Sequence, residues 1–181
     1  MRTFAAIFPP LEIRRKTLEK ALHSPLAQQV QWIAPRNAHL TLKFLGDVQE
    51  EVLGDLRATL VETCDRHASF DIELKELGAF PSARRSRIIW ASVGAGSEEL
   101  HSLAADLDSA LVPLGFEREE RPYTPHLTLG RVRGRPVSLS PLSDTIDLSF
   151  QVRYVELMES SLTERGAVYQ TIEAFALRQR S

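Results

Sequence analysis

The sequence has one cysteine, no long apolar run and almost no excess of charge, and each absence excludes a class of protein. Cys64 has no partner for a disulfide within the chain, which is typical of proteins in the reducing cytoplasm. No apolar run approaches the roughly 18 residues of a membrane span, and the N-terminus lacks the pattern of a signal peptide. We therefore expect a cytoplasmic protein without a membrane partner, in which Cys64 is a small core residue.

The charge balance limits how the chain could bind nucleic acid. A formal net charge of −2 argues against binding of long nucleic acid over the whole surface, since that mode needs many cation–phosphate contacts. A local group of arginines would be enough to recognise a chain end. Aromatic residues make up only 7% of the chain, so most are expected in the core. Trp32, Phe44 and Trp90 are also candidates to stack on a nucleobase.

The apolar pattern predicts an α+β protein that forms one domain over residues 1–181. Ser97 is expected to cap the third helix, and Gly115 is expected to lie at its end. Loops are predicted at 78–87 and 134–145. The predicted helices are 11–22, 49–67 and 97–114, and the predicted strands are 2–8, 30–33, 38–45, 70–74, 88–93, 125–133, 146–160 and 167–177.

The tetrapeptide His-Leu-Thr-Leu occurs twice, at 39–42 and at 126–129. Alternate side chains of a strand share a face, so each copy places an imidazole and a hydroxyl on one face and two leucines on the other. Alternating leucine and threonine is also ordinary in a half-buried strand. A chance recurrence of four identical residues in 181 is improbable, so the repeat indicates a functional site.

The residues of the repeat suit general acid–base catalysis. Two imidazoles facing each other could exchange protons near neutral pH, because an unperturbed histidine titrates near about pH 6.5. Thr41 and Thr128 would then donate hydrogen bonds to the substrate. A zinc site is the main alternative, but catalytic zinc needs about three protein ligands, and neither motif contains a carboxylate or a thiol. We expect no metal and no cofactor, and we interpret His23, His67 and His101 as surface residues.

Two His-x-Thr-x motifs in strands resemble the two-histidine (2H) phosphoesterase superfamily. Within it, the chain resembles the RNA 2′,3′-cyclic phosphodiesterases of bacteria and archaea, also called 2′-5′ RNA ligases or LigT-like proteins. Further resemblance lies in segments 2–7, 32–46, 78–81 and 125–129. The resemblance implies two pseudo-symmetric lobes around a central cleft, each a small antiparallel sheet backed by helices.

The same resemblance implies a function. His39 would be the proton donor and His126 the proton acceptor, although the sequence itself does not order them. The substrate would be an RNA 3′ end with a 2′,3′-cyclic phosphate, opened to a 2′-phosphate, and the site could also join RNA ends through a 2′-5′ linkage. We expect a monomer whose substrates include tRNA fragments.

Six further residues are candidates for substrate binding. Lys43 shares the parity of His39 and Thr41, so it either adds charge to the cleft or is a solvated lysine at a strand end. Arg131 has the wrong parity in a regular strand, but a bulge at Gly130 would turn it towards the cleft. Phe44 could stack on a base. The loop residues Arg84, Arg85 and Arg87 either contact the RNA backbone or are simply solvated.

Two other functions stay open at this point. One is a 2H enzyme for a small nucleotide such as ADP-ribose cyclic phosphate. The other is a non-catalytic RNA-binding module that keeps the cleft. Histidine and threonine are intact at all four motif positions, which argues against a decayed site.

Overall fold

A computed structural model describes residues 1–23, 27–138, 145–164 and 166–180. Within these ranges the chain forms three α-helices and nine strands, which confirms the α+β prediction. The helices are α1 (Leu11–Leu22), α2 (Leu53–Arg66) and α3 (Ser97–Leu111). The strands are β1 (Arg2–Ile7), β2 (Val30–Trp32), β3 (Leu40–Asp47), β4 (Phe70–Phe80), β5 (Ile88–Val93), β6 (His126–Val132), β7 (Thr145–Val152), β8 (Tyr154–Thr163) and β9 (Gly166–Ala176).

The strands form two antiparallel sheets, one for each motif. The first sheet has the order β3-β1-β8-β9 and the second has the order β2-β6-β5-β4-β7. The first sheet therefore joins strands from early and late in the chain, and the sheets do not correspond to its two halves. The motif strands β3 and β6 contact each other where the sheets meet.

The helices cover the faces of the sheets that point away from the motif histidines. Helix α3 packs on β3, α2 packs on α3 and β9, and α1 packs on β7.

The motif leucines Leu40, Leu42, Leu127 and Leu129 all lie in one hydrophobic core, as their parity predicts. Burial of each leucine side chain contributes about 1.5–3 kcal/mol, which fixes the register of both motif strands. Within the described residues, no helix has the length and apolarity needed to cross a bilayer.

A β-bulge in each motif strand changes which side chains face the cleft. In β3, Ala6 pairs with Thr41 and Ala5 pairs with Lys43, so Leu42 has no partner of its own on β1. In β6, the register shift leaves Leu129 as the extra residue, because Trp90 of β5 pairs with Thr128 while Ile89 pairs with Gly130. Each bulge reverses the parity of the residues that follow it.

Two predicted strand boundaries, the start of the predicted loop 78–87 and one predicted helix cap were wrong. Strand β4 runs on to Phe80, well beyond residue 74, because a register irregularity after Leu74 breaks the alternation that marks a strand. The segment 146–160 is two strands that meet at Arg153, where the chain passes from the second sheet to the first. Ser97 is the first residue of α3 and does not cap it. Gly96 precedes the helix at a φ of 85°, where a Cβ would lie 2.3 Å from the Asp71 carbonyl oxygen. Of the predicted loop 134–145, residues 139–144 lie outside the described residues.

Candidate active site

Each motif histidine is oriented by a backbone carbonyl two residues before it. His39 Nδ1 lies 2.6 Å from the Asn37 oxygen, and His126 Nδ1 lies 2.7 Å from the Thr124 oxygen. A carbonyl oxygen can only accept a hydrogen bond, so Nδ1 carries the proton in both rings. The nitrogen that can take up or release a proton is therefore Nε2 in both histidines.

Aromatic side chains surround His39. The ring centroids of Phe4, Phe8 and Tyr169 lie 4.9, 5.1 and 5.2 Å from the His39 centroid, and Tyr169 meets the imidazole edge-on. These rings exclude water and restrict rotation of the imidazole. They also remove His39 from the solvent that would stabilise its charged form.

His126 has a similar environment in the second sheet. The centroid of Phe80 lies 5.1 Å from that of His126, edge-on, and the centroid of Trp90 lies 6.0 Å away. The Trp90 indole in turn lies over Gly78, where a Cβ would be only 2.4 Å from the ring. Gly78 is therefore required for the position of Trp90.

Burial keeps both histidines neutral in the free protein. It lowers the pKa of His39 to about 4, and the nearby charges of His126 and Arg14 act in the same direction. Burial also lowers the pKa of His126, partly opposed by the hydrogen bond to the Thr124 carbonyl. At pH 7 either ring can accept a proton. A ring that must donate one has to gain it as the anionic substrate binds, since a nearby negative charge raises the pKa of an imidazole.

The free protein is therefore expected to show a His39 titration near pH 4, well below the ordinary value of about 6.5. Proton–nitrogen NMR of the imidazoles would measure it, with the His39→Gln variant to assign the signals. Adding a nucleoside 2′-phosphate should raise the pKa values of both motif histidines. A His39 midpoint near 6.5 in the free protein would contradict the burial described above.

The motif threonines lie on the same faces as the histidines. Thr41 pairs with Ala6 and Thr128 pairs with Trp90, and both side chains are half-buried at the cleft. Within the part of the chain that the structure describes, neither hydroxyl has a hydrogen-bond partner in the protein. Both hydroxyls are thus available to donate to the oxygens of a bound phosphate.

Comparisons with known proteins agree with this geometry. The model of the 2′-5′ RNA ligase superfamily matches residues 9–164. The chain belongs to the 2′-5′ RNA ligase superfamily. It is 37% identical over 156 residues to an RNA 2′,3′-cyclic phosphodiesterase of Methanothermobacter thermautotrophicus, covering 82% of this chain and 83% of the relative.

Solved structures of similar proteins cover almost the whole chain. The crystal structure of a Thermus thermophilus protein matches with a TM-score of 0.87 and 29% identity, over 100% of both chains. The structure of E. coli LigT complexed with 3′-AMP matches with a TM-score of 0.78 and 30% identity, over 97% of both chains. The likeness therefore includes both sheets and both motif strands.

Both interpretations of Lys43 were wrong, since it is neither a charge in the cleft nor a solvated lysine. Its side chain is only 6% exposed, and its Nζ lies 2.5 Å from an Asp108 carboxylate oxygen and 2.8 Å from the Glu117 carbonyl oxygen. The bulge at Leu42 turns Lys43 to the core side of β3. Lys43 therefore connects the motif strand to α3 and is not available to a substrate.

The same bulge brings Phe44 to the face that carries His39. Its ring centroid is 6.2 Å from that of Phe4, and the residue is 68% exposed. In β6, the bulge at Leu129 and Gly130 places Arg131 opposite Ile88, on the face of Thr128. The parity change expected from a bulge at Gly130 is present. Contact of Phe44 or Arg131 with a substrate stays a prediction.

The loop arginines Arg84, Arg85 and Arg87 are exposed in the turn between β4 and β5. The turn follows Phe80, whose ring packs on His126, and Ser86 fixes it by donating towards the carbonyls of Ser82 and Ala83. Among the described residues, none of the three arginines forms an ion pair. Their contact with RNA stays a prediction.

Three further residues named in the sequence analysis have structural roles: Cys64, Trp32 and His67. Cys64 is buried, and burial raises the pKa of its thiol to about 12, so the predicted core role is consistent with the structure. Trp32 is partly buried and packs against the core. The prediction that His67 is a surface residue was wrong, because its Nε2 lies 2.8 Å from Asp106 and its side chain is 14% exposed. Among the described residues, no group of three or more His, Cys, Asp or Glu could hold a metal ion.

Four aromatic neighbours of the two histidines were missed from the sequence: Phe4, Phe8, Phe80 and Tyr169. Phe80 lies in a segment, 78–81, that already resembles the family, and this signal could have identified it. Phe4 and Phe8 alternate along the first strand with the parity of one face, which is a weaker signal. Tyr169 comes from the last strand, and nothing local connects it to His39.

Proposed function

We propose that this protein hydrolyses the 2′,3′-cyclic phosphate at RNA 3′ ends to a 2′-phosphate, with His39 and His126 as acid and base and without a metal. The observation that carries the proposal is the pair of imidazoles with protonated Nδ1, each beside a threonine hydroxyl that has no described partner in the protein. The names of curated relatives, among them the Methanothermobacter thermautotrophicus protein, support the choice of substrate.

The cyclic phosphate needs little beyond these groups. A neutral imidazole takes a proton from water as the water attacks phosphorus, while the opposite imidazolium protonates the departing 3′ oxygen. Thr41 and Thr128 donate to the non-bridging oxygens, where charge increases in the transition state. Arg131, which follows the bulge on the same face, is the proposed counter-charge. If a 5′-hydroxyl replaces water, the same displacement forms a 2′-5′ linkage.

The resemblance assigns the acid to His39 and the base to His126. Since His39 has a pKa of about 4 in the free protein, this assignment requires its pKa to rise when the anionic substrate binds. The exchanged assignment, with His39 as the base, would need no such rise. The pH profiles of the two alanine variants distinguish the assignments.

An oligonucleotide ending in a 2′,3′-cyclic phosphate is expected to give only the 2′-phosphate. In-line attack that expels the 3′ oxygen leaves the phosphate on the 2′ oxygen. Phosphorus NMR of the product and mapping of the ends with phosphatases measure this, with EDTA present throughout. A 3′-phosphate product would mean that the wrong ribose oxygen had been assigned as the leaving group. Turnover that is lost in EDTA and restored by a divalent ion would refute the two-histidine mechanism.

The same assay separates the alternative functions when ADP-ribose cyclic phosphate and nucleoside 2′,3′-cyclic phosphates are compared with the RNA. A higher kcat/KM on a small nucleotide would favour the small-molecule enzyme. Binding of the oligonucleotide without any turnover would favour a binding module. The double variant His39→Ala and His126→Ala is the control for contaminating phosphodiesterases.

Three finer points belong to the same proposal. We expect the protein to act as a monomer, since both histidines and both threonines come from one chain. We expect it to act in the cytoplasm, in keeping with its single buried cysteine. We expect tRNA fragments among its substrates, because their ends can carry the cyclic phosphate.

A further inference from the structure

Arg14 of α1 holds the segment that orients His39. Its Nη1 donates to the carbonyl oxygens of Arg36, at 2.9 Å, and Pro35, at 3.2 Å. Both residues belong to the 3-10 turn Pro35–Asn37 that leads into the first motif. The next carbonyl in that turn, on Asn37, accepts the Nδ1 proton of His39. The Arg14 guanidinium thus fixes the backbone turn whose Asn37 carbonyl orients the His39 imidazole.

Arg14 also supports the His39 ring through an aromatic neighbour. The centre of its guanidinium lies 5.5 Å from the centroid of Phe8, within the range of a cation–π contact. The Phe8 centroid lies 5.1 Å from that of His39. Arg14 thus acts on the His39 ring in two ways. It contacts Phe8, which packs on the imidazole, and it binds the two carbonyls that precede the Asn37 carbonyl.

The placement of Arg14 is unfavourable in other respects. Its Nε is buried and has no hydrogen-bond partner among the described residues. Partial burial lowers the pKa of the guanidinium, partly opposed by the negative charge of Glu156, and the charge of Arg14 contributes to the low pKa of His39. A buried donor without an acceptor destabilises a protein.

We propose that Arg14 is a positioning residue, which aims Nε2 of His39 into the cleft by fixing the turn Pro35–Asn37 and the Phe8 ring. This inference rests on the proposed function of His39. Arginine suits the role because its planar fork can donate to two adjacent carbonyls at once, which a lysine ammonium does less rigidly.

The second half of the site has a related arrangement. His101 of α3 has Nε2 2.9 Å from the Tyr123 carbonyl oxygen and donates to it in the tautomer that is protonated at Nε2. Nδ1 lies 2.7 Å from the Ser97 carbonyl oxygen, and a neutral ring can donate to only one of these two oxygens. Tyr123 precedes Thr124, whose carbonyl accepts from His126. A side chain on a helix thus holds the segment before each motif histidine, which supports positioning as the shared role.

The test compares Arg14→Met with Arg15→Met. Arg15 is the exposed neighbour on the same helix, so its variant is the matched control. Loss of a group that orients a catalytic residue costs about 10- to 100-fold, so Arg14→Met should lower kcat by that factor. KM should change by less than about threefold, because no substrate contact is removed. Arg15→Met should match the wild type in both constants.

The NMR titration of His39 separates charge from geometry and does not depend on turnover. Arg14→Met removes a positive charge, so the pKa of His39 should rise. Arg14→Lys keeps the charge and loses the fork, so the pKa should stay low while kcat falls by about tenfold. If Arg14→Met does not fold, as judged by circular dichroism, Arg14→Gln is used in its place.

A wild-type kcat in both Arg14→Met and Arg14→Lys would overturn the proposal. An equal fall in kcat for Arg15→Met and Arg14→Met would also overturn the proposal. If the wild type itself fails to open the cyclic phosphate, the proposed function is wrong. Unchanged His39 signals in Arg14→Met would then refute the positioning role independently.

Discussion

Alanine at position 39 or 126 is expected to lower kcat on a cyclic-phosphate oligonucleotide by about 10²–10⁴-fold, the usual scale of acid–base catalysis. Each substitution removes the Nε2 proposed to exchange a proton with the substrate or with water. Single-turnover measurements with saturating enzyme report the chemical step directly. His23→Ala, which removes an exposed imidazole at the end of α1, is the control and should match the wild type. A folded motif variant with near wild-type turnover would show that its histidine is neither acid nor base.

The pH profile assigns the two roles. The acid must be protonated, so kcat falls at high pH as the acid loses its proton, which gives the alkaline limb of the profile. The base must be neutral, so kcat falls at low pH as the base gains a proton, which gives the acid limb. With His39 as the acid, His39→Ala should lose the alkaline limb and His126→Ala the acid limb. The rings influence each other's charge, so the limbs of the wild type belong to the pair. If His39→Ala lost the acid limb and His126→Ala the alkaline limb, the two histidines would have the opposite roles. A pH profile of kcat that keeps both limbs in both variants would refute the mechanism.

The limbs should also move between free enzyme and substrate complex. Burial lowers the pKa values of both histidines in the free protein, so the limbs of kcat/KM, which report free enzyme, should lie on the acid side of neutrality. The limbs of kcat report the complex, where the phosphate charge favours both imidazolium forms, and they should lie at higher pH.

Removing one threonine hydroxyl should have the next largest effect. Thr41→Val and Thr128→Val keep the branched shape and lose the donor, so kcat should fall by up to about 10²–10³-fold, as for an oxyanion-hole donor. Thr→Ser at either position keeps the hydroxyl and should retain most of the activity. Rates of the four variants under single-turnover conditions give the comparison. Valine variants as active as the serine variants would show that the hydroxyls do not contact the phosphate in the transition state.

The sequence predicted the parts of the site that follow local rules. Helix α1 has the predicted bounds because Pro9 and Pro10 end the first strand and begin the helix. The leucines of both motifs are buried as alternation requires. The bulge expected near Gly130 is present, because glycine marks a position at which a bulge is plausible, and it places Arg131 on the face of Thr128. A contact between Arg131 and a substrate stays a prediction.

Lys43 shows where local rules fail. The bulge in β3 falls at Leu42, and no glycine or proline marks it, so period-two parity placed Lys43 on the wrong face. Its partners are distant in sequence: Asp108 on α3 and the carbonyl of Glu117. Tyr169 and Arg14 were missed for the same reason, since each reaches His39 only through the tertiary fold.

The first sheet joins β1, from the start of the chain, to β8 and β9, from its last part, and this has a consequence for biosynthesis. The sheet that carries His39 cannot be completed until β9 has been made, and β9 supplies Tyr169. Contacts between residues so far apart in a chain are also slow to form, because closing so long a loop is entropically costly. A nascent chain, or one cut off before residue 166, would hold the second motif and its sheet partners but lack a complete His39 half. The His39 half of the site is therefore complete only after β9 has left the ribosome and joined its sheet.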